Sequence, residues 1–131
     1  MKQKVARLLT VNGIGSVNAM TLVSMLPELG KVSNKEIAAL VGIAPYSKDS
    51  GKKTGKRTIF GGRAVIRSTL YMAILSAKRY NKPIKTFYQR LIASGKPQKV
   101  AITACMRKLL VTLNSMVKNQ SVWQPDFAGF A

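Results

Sequence analysis

A chain of 131 residues makes one domain with room for a core, and its 22 Lys and Arg against 4 Asp and Glu give a net charge of +18. With no histidine, Ser-His chemistry and histidine metal ligands are excluded, and the acids Glu28, Glu36, Asp49 and Asp126 are too scattered to presuppose a two-metal carboxylate cluster. One cysteine, Cys105, excludes an internal disulfide and suits a reducing cytoplasm; no apolar run approaches the ~20 residues of a membrane span, and the start shows no signal-peptide pattern.

Residues 3–10 read as a short helix with Val5, Leu8 and Leu9 on one side. A glycine-bracketed turn then enters a second helix bearing Leu22, Val23 and Leu26, with the small Ala19 where two helices would cross. Residues 8–30 resemble a helix-hairpin-helix motif. In that reading Gly13, Gly15 and Ser16 offer amides to one phosphate at the N-terminus of the second helix, a contact that reads no sequence. The plainer alternative is an ordinary αα-corner; the charge of +18 favours the phosphate.

Ser33-Asn34-Lys35-Glu36 fits a capping box, which assigns Glu36 to structure. The helix it opens presents Ile37, Leu40 and Val41 and stops at Gly42, and Pro45 ends regular structure. The basic stretch 45–67 follows. Lys48, Lys52, Lys53, Lys56, Arg57, Arg63 and Arg67 stand against one acid, Asp49, among glycines and the hydroxyls of Ser47, Ser50, Thr54 and Thr58. Cations beside glycines suit a phosphate backbone: point charges, guanidinium forks and approachable amides. A solvated basic loop without a fixed partner is the duller alternative. A mononucleotide P-loop is excluded, because three residues separate Gly51 from Gly55 where four are needed, and Arg57 stands where a Ser or Thr should hold magnesium.

A short extended piece is expected around Thr58-Ile59-Phe60, then a long helix from Gly62 to Tyr80. Ile66, Leu70, Ala73 and Ala77 form its core face, while Arg63 and Arg67 project together from another. Pro83 opens a helix over 84–94, and Gly95 closes it. The last helix, 97–118, keeps Thr103, Arg107, Asn114 and Lys118 on a polar stripe and packs Val100, Ala104, Leu110, Val111, Leu113 and Val117. Met72, Met106, Met116, Phe87, Tyr88 and Cys105 are expected in the core, and the tail from Val122 is expected to be loosely held. The fold class is all-α: a helix-hairpin-helix (8–30), a basic glycine-rich loop (45–62), a helical core (62–118) and a tail (119–131).

Gly13-Ile14-Gly15, the run from Gly42-Ile43-Ala44-Pro45 to Asp49-Ser50-Gly51, and the run from Gly61-Gly62-Arg63 to Ala73 carry a resemblance, together with Ala104-Cys105-Met106-Arg107-Lys108. They resemble the C-terminal domain of bacterial insertion-sequence transposases related to Piv-type DNA invertases, over about Leu8 to Trp123. That resemblance implies DNA as partner, strand exchange through a phosphoserine intermediate, an RNA guide and a homo-oligomeric full-length protein acting at the nucleoid. It places the nucleophile at Ser50 and Mg²⁺ on an Asp-Glu-Asp-Asp set in a separate RuvC-like half, with no cofactor in this chain. Without that half the chain is expected not to complete the reaction alone, whether it is a fragment or a truncated remnant. The rival from another class is a non-enzymatic ribosomal or architectural nucleic-acid-binding protein. Adhesion to anionic membranes is the weakest reading, because the cations concentrate in a glycine-rich loop and not on one helix face.

Overall fold

The computed structural model describes residues 2–43 and 63–124. Helices α1 (Lys2–Leu8), α2 (Ser16–Met25), α3 (Asn34–Val41), α4 (Ala64–Tyr80), α5 (Lys82–Ala93) and α6 (Gln98–Asn119) account for the regular structure, and no strand occurs among the described residues. The fold is all-α. The expected extended piece at 58–60 and helix start at Gly62 lie outside the described residues.

Local chemistry sets the boundaries. Ser33 accepts a hydrogen bond from the Glu36 amide, and the Glu36 carboxylate accepts one from the Ser33 amide, so two otherwise orphaned donors at the start of α3 are satisfied. Gly42 ends α3 in the left-handed region at φ 85°, which glycine adopts without a Cβ penalty. Asn81 closes α4 and caps α5 through its side-chain oxygen, with Pro83 in the first turn where its missing N–H is not needed.

Helix α4 packs on α2, α5 and α6, while α1 and α3 close on α6. Leu22, Ile66, Leu70, Ile74, Leu109, Leu110 and Leu113 meet in the centre and are fully buried. Each such side chain is worth ~1.5–3 kcal/mol of burial. Lys78 lies over the Tyr88 ring at 4.9 Å and Lys108 over the Phe87 ring at 5.3 Å, bracing α5 against both long helices. Cys105 is buried, and loss of water pushes its thiol up to about 11.

Three expectations are corrected. Asn114 does not join a polar stripe: it is buried, accepts from the Gly30 amide at 2.6 Å, and donates to the Val32 carbonyl and the Asn34 side chain at 3.0 and 2.9 Å. A polar residue at helical spacing thus pins the turn between α2 and α3. Met72 and Val100 are half exposed, because α4 and α6 each leave one face uncovered there. Trp123 is not loose; it is buried, and its amide donates to the Thr10 hydroxyl at 2.9 Å. Helix α6 meets the length and composition of a bilayer span, but Lys99, Arg107, Lys108 and Lys118 interrupt its apolar run and 56% of the apolar window is buried within the fold.

Candidate nucleic-acid interface

Five of the 22 cations and two of the four acids, Asp49 and Asp126, lie outside the described residues, as does Ser50. Of the expected site, Lys48, Lys52, Lys53, Lys56, Arg57 and Ser50 therefore have no described geometry. Gly13, Gly15, Ser16, Arg63 and Arg67 do.

Arg63 stands at the N-cap of α4 and forms a two-pronged ion pair with Glu28, Nη1 to Oε1 at 2.6 Å and Nη2 to Oε2 at 2.8 Å. Planar guanidinium against planar carboxylate fixes orientation as well as charge. The pair holds the Glu28 carboxyl at about 2, first through the Arg63 hydrogen bond, and raises Arg63 in turn. Arg67, one turn on, donates from Nη1 to the Val41 carbonyl at 3.0 Å. The two arginines thus do not project as a free pair: each is held by a protein group. Arg67 thereby ties the start of α4 to the end of α3, and Arg63 ties it to Glu28 in the turn after α2.

Beside that junction is a groove of about 610 Å³ between the first halves of α4 and α6, lined by Ala64, Arg67, Ser68, Tyr71, Gln98, Lys99, Ile102, Thr103 and Met106. None of its described lining residues is a carboxylate. Sequence reasoning singled out only Arg67 of these. The available signal was helical spacing: 64, 67, 68 and 71 share one face, as do 98, 99, 102, 103 and 106. Nothing in the chain says that those two faces meet, because α5 lies between them in sequence.

The turn between α1 and α2 separates its two glycines by role. Gly13 adopts φ 109°, and a Cβ there would come within 2.6 Å of the Ala77 Cα, so this glycine lets the turn press on α4. Gly15 has ordinary extended backbone at the N-cap of α2, and nothing lies within 4 Å of where its Cβ would be. Gly15 and Ser16 are exposed at that helix start; Gly13 faces the core.

No group of three or more His, Cys, Asp or Glu able to hold a metal occurs among the described residues. Both described acids are engaged, Glu28 by Arg63 and Glu36 in its cap, where the Ser33 amide and hydroxyl lower its carboxyl. These residues do not fit a Mg²⁺ site.

The transposase IS116/IS110/IS902 family model matches residues 5–89, which bracket the hairpin turn, segment 44–62 and α4. The pilin gene-inverting proteins of Moraxella bovis and Moraxella lacunata are each 32% identical over 90% of this chain and 38% of their own length. An insertion element IS900 uncharacterized 42 kDa protein from Mycobacterium paratuberculosis is 30% identical over 71% of this chain and 24% of its own. The chain spans less than two-fifths of the length of these relatives. With the family match running over more than half of its residues, the chain belongs to the IS116/IS110/IS902 transposase family.

Proposed function

We propose that this chain is the DNA-binding, serine-bearing part of a recombinase that exchanges strands between two duplexes, as the family and the gene-inverting relatives suggest. The observation that carries the reading is the tie of the start of α4 to the end of α3 through Arg67, beside a groove whose described lining holds Arg67 and Lys99 and no carboxylate. In this reading the Ser50 hydroxyl gives its proton to a base and attacks a backbone phosphorus; a serine–phosphate ester forms as the bond from phosphorus to the strand's bridging oxygen breaks, and that oxygen takes a proton from an acid or water and departs as a hydroxyl. The cations of 48–57 offset charge growing on the non-bridging oxygens. The base and any Mg²⁺ belong to a RuvC-like half outside this chain. An RNA guide and a homo-oligomeric assembly belong to the same proposal. The exposed start of α2 at Gly15 and Ser16 supplies a second phosphate contact.

The test joins this chain to a RuvC-like half of the family and traps the protein–DNA complex for mass spectrometry. A covalent adduct on Ser50 is expected, absent in Ser50→Ala, while Ser47→Ala and Ser68→Ala retain it. The duplex affinity of Ser50→Ala should match the parent and fall steeply with salt, because cations dominate the contact. An adduct on another residue, or recombination surviving Ser50→Ala, reassigns the nucleophile.

A further inference from the structure

We propose that the groove between α4 and α6 seats one unstacked nucleotide of a DNA single strand, base on the floor and phosphate at the rim. The inference rests on the DNA-binding reading above and adds what this part of the surface recognises.

The floor is apolar, formed by Ile102 and Met106, each only 6% exposed. Tyr71 stands in the wall with 44% of its surface open. Gln98 and Ser68 line the groove with donors and acceptors for a base edge, and the exposed Lys99 supplies a cation. A volume of about 610 Å³ falls in the range of ligand-sized sites, ~300–1,000 Å³. The combination is selective. A duplex presents phosphates and base edges, and its apolar base faces are covered by their stacking neighbours. An apolar floor with an aromatic wall therefore meets a base face only when that base has left the stack. A second copy of the chain is disfavoured at this surface, because like charge of +18 on each copy repels across a rim with no acid among its described residues. Because Arg67 lines the groove and also bonds the Val41 carbonyl, a strand seated here passes the junction of α3 and α4.

The experiment measures fluorescence anisotropy of the 131-residue protein with a single-stranded deoxyoligonucleotide of about 16 nucleotides, its duplex, and the RNA strand of the same sequence. Tyr71→Ala should weaken single-strand DNA binding by about 5- to 100-fold, the range of one base–aromatic stack, and change duplex binding less than about twofold. Tyr71→Phe, which keeps the ring, should bind single strands within about twofold of the parent. Lys99→Gln should weaken single-strand binding more than Lys85→Gln, an equal charge change on the exposed side of α5. Circular dichroism confirms that each variant is folded. Unchanged single-strand affinity in Tyr71→Ala, or equal losses on single strand and duplex, overturns the nucleotide seat while leaving duplex binding intact. A Tyr71-dependent loss confined to RNA overturns the assignment to DNA. A parent protein that binds neither single-stranded nor duplex DNA instead sinks the DNA-binding reading itself.

Discussion

Arg63 illustrates how one side chain changes meaning when its neighbours are known. In a row of cations it reads as a phosphate ligand; in the fold it answers Glu28 with two hydrogen bonds. The consequence is a definite pH dependence. Glu28 in the folded chain sits at about 2, below its ordinary value of 4.5, so its contribution is fully present above that ordinary value. It is lost as pH falls through about 2. The pair is about a third exposed, so solvent screening limits its worth to about 1 kcal/mol. Glu28→Gln should therefore lower stability by about 1 kcal/mol at neutral pH. The gap to the parent should close between pH 5 and pH 2, as followed by urea melts at each pH. A constant gap down to pH 2 would mean that Glu28 acts through packing and not through its charge. Arg63→Ala should carry the same stability cost, so a loss of DNA affinity in that variant has to be measured on the folded fraction.

At the scale of elements, the hairpin turn and α4 make one joint. Gly13 is needed by that joint and Gly15 is not. Gly13→Ala places a methyl against the Ala77 backbone at a positive φ and should cost about 2 kcal/mol or more. Gly15→Ala meets open space and should cost under about 1 kcal/mol, the price of a poorer N-cap. Thermal melts of the two variants check the difference; equal melting would dissolve the distinction. The elements themselves were legible in sequence wherever punctuation was local: the Ser33–Glu36 box, Gly42, the Asn81–Pro83 break and the spacing of Ile66, Leu70, Ala73 and Ala77 all read correctly. What periodicity could not convey was pairing between distant segments. Asn114 looked like a surface residue because its partners at 30, 32 and 34 are some 80 positions away. The groove was hidden for the same reason, since its two walls are separate helices. Arg67 was legible as a cation one turn beyond Arg63, but its bond to the Val41 carbonyl was not.

Across the whole molecule, the earliest and latest parts of the chain are partners. The Thr10 hydroxyl receives the Trp123 amide, 113 positions on, and the Lys4 ammonium reaches the Leu29 carbonyl within the N-terminal half. During synthesis at about 5–20 residues per second, Thr10, just past α1, therefore waits on the order of 10 seconds for its partner. Over that interval α6, the longest of the described helices, has not been fully delivered either, and the part already made carries the apolar Leu8, Leu22 and Leu26 with strong positive charge. Ribosome-bound chains halted so that residue 118 has left the exit tunnel should be cut rapidly by a protease within α1, and those halted with residue 124 outside should resist. Early protection would mean that α1 is secured without Trp123. On the expected outcome, this cationic stretch stays unfinished beside a polyanionic ribosome until Trp123 emerges, and its closure rests on the single hydroxyl of Thr10.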